Sequence, residues 1–426
     1  MGKSSMPGSV KSGIPTLGKV PKGWRTVKFG DVLVERQRPV ALKDDEEYQL
    51  VVAKRSRGGV VPRARLLGKQ VLTKTQFEIH GNDFLISNRQ IIHGGCGIVP
   101  KELGGSVVSN EYSVLTPTSD LDLSYLSYLS SSVHFQRTCF HSSVGVNIEK
   151  IIFSLRRWFQ QKVQLPPLVE QKEIAKLLST WDTAISNCET EIQLKEKRKR
   201  AVLEQLLHGQ IRGPKFLTRG RINSDKVPNG WREAKLGELC TAILDGTHAT
   251  PKYTQKGIPF YSVENVTNDE FEDTKFISME EHALLSKRCK VERGDILLTR
   301  IGELGKSKLI DWDVNASIYV SLALLKVNPK LVRCEYVYSY LQSQTFLREL
   351  KKRALLKAAP QKINLGDIQN IPILLPTNEN EQRYISDITI LSVKEIALLK
   401  KQKVALIRQK RALGQELLSG QIRMRK

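Results

Sequence analysis

The sequence predicts an α+β protein: two pseudo-symmetric mixed α/β domains separated by a pair of long antiparallel coiled-coil helices. Three observations lead there. The first is internal repetition. Residues 199–212 read KRAVLEQLLHGQIR and residues 410–423 read KRALGQELLSGQIR, an offset of 211. Glu170-Gln171 recurs at that offset as Glu381-Gln382, and Val20-Pro21-Lys22-Gly23-Trp24-Arg25 recurs as Val227-Pro228-Asn229-Gly230-Trp231-Arg232. What lies between matches poorly. A solenoid repeat has a period of roughly 20–50 residues, so this is a duplicated domain-plus-helix unit with a shared frame and divergent contents. The second observation is a long heptad run in each half. The third is strand-like texture, mixed with shorter helical segments, before each run.

In chain order, residues 1–19 are rich in Gly, Ser, Pro and Lys without a hydrophobic period, which predicts a disordered arm. Residues 20–165 form the first mixed domain. Strands are expected at Tyr48–Ala53, Asp83–Ser87 and Ser106–Leu115, and a helix from Asp120 to Phe140, whose acidic start suits the positive helix terminus. Residues 166–212 hold the first long helix. No Pro or Gly occurs from Leu168 to Leu207. Ile174, Leu178, Trp181, Ile185, Cys188 and Ile192 alternate steps of four and three, the spacing of a coiled-coil seam. The seam continues through Lys195 and Lys199 to Val202 and Leu206, and Gly209 can stop it.

The second half repeats the plan: a polar linker at 213–226, a mixed domain at 227–376 and a second long helix within 377–426. Strands are expected at Pro259–Val263, Asp295–Thr299 and Ile318–Val327, and a helix over Cys334–Ala354. The second seam runs Ile385, Thr389, Ser392, Ile396, Leu399, Lys403, Leu406, Lys410, Leu413 and Leu417, with Gly414 weakening it slightly. Neither stripe is wholly apolar, so neither helix should be stable alone. Antiparallel pairing would bring Cys188 near Leu399 and Trp181 near Leu406. The alternative is two separate helices, each paired with another protein.

Charge points to the partner. The chain has 426 residues with 67 basic against 44 acidic, a formal net charge of +23. That excess favours a polyanion; the plainer reading is a basic protein kept soluble by its charge. No run of 18 apolar residues suggests a membrane span, and the N-terminus lacks the apolar run of a signal peptide. Met1-Gly2 resembles a myristoylation start, but Met6 stands where that motif wants Ser or Thr. Six widely spaced cysteines read as the reduced thiols of a cytoplasmic protein.

Catalytic patterns turn out to be decoys. Gly302-Glu303-Leu304-Gly305-Lys306-Ser307 ends like a phosphate-binding loop, but Arg300 stands where the first Gly is required. Pro166-Pro167 lacks the preceding Asn or Asp and the following aromatic of an adenine methyltransferase. No dinucleotide-binding glycine pattern follows a strand. The seven His form no metal-binding pattern. The expectation is a binder with no catalytic residue and no metal.

Nucleic-acid features carry more. In the first domain Lys54, Arg55, Arg57, Arg63, Arg65 and Lys69 surround Gly58-Gly59, a basic loop suited to phosphates and base edges, or an ordinary solvated hairpin. Ser87-Asn88-Arg89-Gln90 follows a strand end with side chains able to fork onto guanine or adenine. In the second domain Thr247, His248, Thr250, Lys252 and Tyr253 form a polar loop. Thr299-Arg300 occupies the strand-end position of Ser87-Asn88, and Lys357, Gln361 and Lys362 precede the second long helix. Trp24 and Trp231 are assigned to the core, and the basic runs Lys195–Arg200 and Lys400–Arg411 to solvated helix faces.

The duplicated Pro-x-Gly-Trp openings, Leu165-Pro166-Pro167-Leu168 with Glu170-Gln171, and the two Leu-Leu-x-Gly-Gln-Ile-Arg endings together resemble the specificity subunit of type I restriction–modification systems, over about residues 20–423. Asp245-Gly246-Thr247-His248-Ala249-Thr250-Pro251 is similar to a loop of their target-recognition domains, as is Gly97-Ile98-Val99-Pro100 with Val107-Val108-Ser109-Asn110. The second helix departs from the pattern by starting Pro376-Thr377-Asn378-Glu379. The resemblance implies that each variable domain reads one half of an asymmetric bipartite site in double-stranded DNA. It implies helices that set the spacer and dock two modification (methyltransferase) subunits, with two restriction (translocase–nuclease) subunits joining for cleavage. No cofactor is then bound by this chain: S-adenosylmethionine belongs to the modification subunit, and ATP and Mg to the restriction subunit. Two other readings stay open, an enzyme whose catalytic chain is normally fused and an architectural coiled-coil protein binding DNA without sequence choice.

Overall fold

The computed structural model describes residues 15–145, 151–213 and 227–424. Most of the expected arm and linker lies outside the described residues. The chain divides into two compact units, residues 1–187 with 403–426, and residues 188–402. Each contains one mixed domain and half of each long helix.

In the first unit, Arg25–Lys28 pairs antiparallel with Lys162–Leu165, bringing the start of the domain beside its end. An antiparallel sheet follows in the order Leu33–Glu35, Tyr112–Pro117, Phe84–Ser87, Cys96–Ile98. A second sheet runs Pro39–Val40, Gln76–Glu78, Val107–Ser109, Glu47–Ala53, Val60–Leu67, with one parallel contact, Leu50 to Val107. Phe84, Leu85, Ile86 and Ser87 are all buried, because this strand is covered on both faces. The core centres on Trp158, stacked on Phe29 at 4.2 Å and met edge-on by Phe135 at 5.3 Å. Its indole N–H, which burial would otherwise orphan, donates to Thr138 Oγ1 at 3.0 Å.

The second unit repeats this frame. Trp231–Lys235 pairs with Pro372–Pro376, and an antiparallel sheet runs Cys240–Asp245, Leu322–Val327, Ile296–Thr299, Ser307–Leu309. Its other sheet runs Tyr253–Thr254, Lys275–Ile277, Ile258–Tyr261, Ser317–Ile318, the last pair parallel.

Four expected elements are each divided in two. The strand over Ser106–Leu115 is two, Val107–Ser109 and Tyr112–Pro117. The helix over Asp120–Phe140 is two, Leu123–Leu129 and Val133–His141, because Ser132 takes the amide of Phe135 at 3.1 Å and starts a new helix. Ser343 does the same to Phe346 at 3.0 Å, splitting Cys334–Ala354 into Cys334–Leu341 and Gln344–Arg353. The run Ile318–Val327 breaks at a turn, closed by the Leu322 amide on the Tyr319 carbonyl.

The long helices are Leu168–Leu207 and Glu379–Leu418, 40 residues each. Every expected seam position is buried or half-buried. In the first unit Ile174, Leu178 and Leu417 are buried, with Trp181, Ile185, Leu406 and Leu413 half-buried. Gly414, buried against Leu178, lies within an unbroken helix. In the second unit Cys188, Ile192, Ile385 and Ile396 are buried and Leu399 half-buried. Cys188 Sγ donates to the Leu399 carbonyl at 3.4 Å, as expected of antiparallel pairing. Lys195 pairs with Glu395, and Glu196 with Lys400 at 2.7 Å. In the first unit Lys410 pairs with Asp182. Within each unit the helix halves therefore run antiparallel, and the alternative of separate helices falls.

The repeated motifs tie helix ends to domains. Gln171 accepts the amide of Asp122 at 2.8 Å and donates to the Asp120 carbonyl at 2.9 Å. Gln382 accepts the amide of Arg333 at 3.0 Å. Gln415 caps Val133 at 2.9 Å, and Glu204 takes the amide of Gln344 at 2.5 Å. Each pair sits at equivalent positions, so the same helix starts are capped twice from the same long-helix sites.

Candidate nucleic-acid interface

In the first unit, the turn after Glu47–Ala53 carries Lys54 and Arg55, both exposed. Ser56 and Arg57 adopt positive φ angles of 56° and 58°, an uncommon conformation for side-chain-bearing residues. Contacts with the next loop hold the turn. The Arg57 amide donates to the Gly94 carbonyl at 3.1 Å, and Arg55 Nε donates to Gln90 Oε1 at 2.8 Å. The basic loop around Gly58-Gly59 and the segment Ser87–Gln90, proposed separately from the sequence, thus meet through Arg55 and Gln90, and Gly94 beyond that segment adds a second contact. Arg57 departs from the sequence reading. It is half-buried and donates to the Ser130 carbonyl at 3.3 Å, beside the buried thiols of Cys96 and Cys139, so it pins the turn from beneath. Arg63 and Arg65 are exposed on Val60–Leu67, where the pairing register with Glu47–Ala53 shifts at Arg63, and Lys69 is exposed beyond them. Ser87 is buried, and Asn88 Oδ1 accepts from Ser113 Oγ at 3.0 Å. Arg89 is exposed and pairs with Glu111 at 2.6 Å.

In the second unit, the loop from Asp245 to Tyr253 sits on the segment 318–320. The Thr247 amide donates to the Ile318 carbonyl at 3.1 Å, and the Val320 amide to the Thr247 carbonyl at 3.0 Å. Gly246 is required here, since a Cβ would lie 2.0 Å from the Ile318 carbonyl oxygen. Thr247 is half-buried, while His248, Thr250, Lys252 and Tyr253 are exposed. Lys357, Gln361 and Lys362 are also exposed. The Gly302 amide donates to the Gln361 carbonyl at 2.8 Å, setting this segment beside the end of Ile296–Thr299.

Two proposed contacts at that strand end are turned inward. Thr299 is fully buried, its hydroxyl accepting the Lys306 amide at 2.9 Å. Arg300 is 8% exposed, and its guanidinium is taken up by Asp245, Val320 and Ile363. With Nε and Nη1 engaged and the side chain almost wholly enclosed, Arg300 is held inward rather than offered to a base edge. The sequence reading missed Asp245 and Arg288 as site residues. Asp245 was visible within the loop pattern, whereas no local signal marks Arg288, which pairs with Asp245 from 43 positions away.

Among the described residues no group of His, Cys, Asp and Glu could hold a metal ion, and no helix is long and apolar enough to cross a membrane. Two copies of one frame, each bearing exposed cationic and amide-bearing loops, define a two-domain protein built for a polyanion. The chain belongs to the family of type I restriction–modification DNA specificity domains, whose model matches residues 21–196 and 228–408. It is a sequence-specific DNA-binding specificity subunit.

The chain is 24% identical, over 96% of its length and 95% of the relative's, to the type I restriction enzyme MjaVIII specificity subunit of Methanocaldococcus jannaschii. It is 26% identical to the EcoBI specificity subunit of Escherichia coli over 52% of this chain and 49% of that one. Among solved structures, the S subunit of a type I system from M. genitalium has a TM-score of 0.56 at 15% identity, covering 95% of this chain and 99% of that one. A chain from a study of complex assembly in a type I system has a TM-score of 0.55 at 20% identity, covering 95% and 100%. These two likenesses concern the fold.

Proposed function

We propose that each domain reads one half of an asymmetric bipartite site in duplex DNA, and that the paired helices set the spacer and dock two modification subunits, with two restriction subunits joining for cleavage. The chain itself catalyses nothing and acts in the cytoplasm. S-adenosylmethionine belongs to the modification subunit, and ATP and Mg to the restriction subunit. One observation carries the reading: an equivalent frame, capped from equivalent long-helix positions, presents Lys54, Arg55, Arg63, Arg65, Arg89 and Gln90 in one unit and His248, Thr250, Lys252, Tyr253, Lys357, Gln361 and Lys362 in the other. Arg57, Ser87, Asn88, Thr299 and Arg300 leave the reading set as supports, and the half-buried Thr247 stays in it. Exchange of residues 227–376 for the same region of another family member, followed by methylome sequencing, tests it. One half of the methylated site should change and the other persist; a change in both halves, or in neither, overturns it.

A further inference from the structure

Arg300 joins parts of the second unit that are distant in sequence. Its Nη1 donates to Asp245 Oδ2 and to the Val320 carbonyl, both at 3.1 Å, and its Nε donates to the Ile363 carbonyl at 3.2 Å. Its backbone adds two bonds: its amide donates to the Ser321 carbonyl, and its carbonyl accepts the Ile363 amide, each at 2.9 Å. Asp245, 5% exposed, extends the junction, with Oδ2 also 3.0 Å from His248 Nε2 and Oδ1 taking Arg288. The exposed donors stand directly on what these two residues hold. His248 to Tyr253 follow Asp245, while Gln361 and Lys362 precede Ile363.

The matching strand end of the first unit is built differently. Asn88 stands there, and its bonds are neutral: its amide to the Glu111 carbonyl at 2.8 Å, its carbonyl from the Phe153 amide at 2.9 Å, and its side chain from Ser113. An arginine fork bonded to acceptors on three segments fixes their mutual positions more tightly than separate neutral bonds, because one planar group satisfies all three at once.

We propose that the Arg300–Asp245 pair is the specificity-positioning element of the second domain: it touches no base, and it sets the register between the 247–253 loop and the 361–362 segment that do. This rests on the second domain being a DNA reader. Base discrimination through bidentate contacts needs donors held to a fraction of an ångström, so loosening the junction costs discrimination before it costs binding.

The test uses the full chain assembled with its modification subunits, after the methylated site has been read from a host. Methylation rates are compared on the cognate duplex and on duplexes with single substitutions in either half-site, for the unmodified chain, Asp245→Asn and Arg300→Lys. The expected result is a loss of about tenfold or more in discrimination at the half-site assigned to residues 227–376, with the other half-site unchanged. Arg300→Lys, which keeps the charge facing Asp245 but cannot fork, should fall between. Should Arg300→Lys fail to fold, the near-isosteric Asp245→Asn decides alone. A purely structural role would lower the unfolding midpoint and the overall rate while leaving discrimination intact, and that result overturns the proposal. An unmodified complex that does not discriminate at that half-site would instead overturn the reading of the second domain as a reader.

Discussion

Arg423 clasps Glu170: its Nε and Nη2 donate to the two carboxylate oxygens at 2.6 and 2.7 Å. Arg212 clasps Glu381 in the same bidentate way, at 2.6 Å to each oxygen. Each pair joins the end of one long helix to the start of the other, and each arginine also closes onto the Gly-Trp opening of its domain, through the Lys22 or the Asn229 carbonyl. The three motifs that repeat along the chain thus meet at one place in each unit. The copies differ in solvent access. Arg212 and Glu381 have side-chain exposures of 9% and 2%, against 37% and 11% for Arg423 and Glu170.

That difference ranks two substitutions. Arg212→Ala strands a buried carboxylate and should destabilise by about 3–5 kcal/mol. Among the described residues, Arg423→Ala leaves Glu170 with only the Trp24 indole N–H at 3.2 Å, but nearer solvent, and should cost about 1–3 kcal/mol. Urea unfolding of the full chain measures both. Equal costs, or the reverse order, would refute the ranking. Arg212→Met combined with Glu381→Leu should recover most of the loss, since an apolar pair of similar volume needs no charge desolvated.

The long helices were legible because nothing local competes with their heptads. Breaks within the domains were not, because Ser132 and Ser343 act as caps only once neighbouring helices fix the chain's direction. The repeats were visible, but their joining of Arg212 to Glu381 and Arg423 to Glu170 belongs to tertiary structure. Arg300 shows the limit at the site. Its place after a strand allows either a reach to DNA or a turn inward, and the choice is made by Ile363, 63 positions away.

Binding should depend steeply on salt. The formal charge of +23 and the exposed Lys54, Arg63, Arg65, Lys252 and Lys362 favour phosphate contacts. With about six phosphates neutralised, affinity should fall about a thousandfold between 50 and 200 mM salt. Titration of the assembled complex with a labelled duplex reads the slope, and a nearly flat response would contradict it.

Acidification should weaken the first unit through His134. Burial holds its imidazole below the ordinary value of 6.5, outweighing the Lys162 carbonyl 2.8 Å from Nε2, and Arg137 adds to the depression. The unfolded chain therefore takes up the proton first. Stability is lost as pH falls through about 6.5, and the loss saturates below the folded-state pKa. Thermal midpoints from pH 7.5 to 5.5 should fall, and His134→Gln should flatten the slope. An unchanged slope in that variant would assign the effect elsewhere.

The seam lysines offer the last prediction. Within the second unit, a cavity of about 300 Å³ is lined by Lys195, Lys199, Val202, Leu203, Ile388 and Ser392, among others. Lys199 is half-buried there. Burial pushes its ammonium below the usual lysine range, Lys400, Lys306 and Arg200 push the same way, and Glu196 opposes them. Among the described residues its one hydrogen bond to a side chain is long, 3.4 Å to Gln342 Oε1. The charge is thus a cost at a position whose heptad spacing asks for an apolar residue. Lys199→Leu should remove the desolvation and pack against Val202, Leu203 and Ile388, a gain of about 1–2 kcal/mol. For a unit of this size that raises the midpoint by about 2–4 °C per kcal/mol. Lys195→Leu is the control. Lys195 pairs with Glu395, whose side chain is 48% exposed, so the lost pairing is screened and the midpoint should hardly move. A lower midpoint for Lys199→Leu would mean that the half-buried ammonium stabilises the helix pair, against the burial argument.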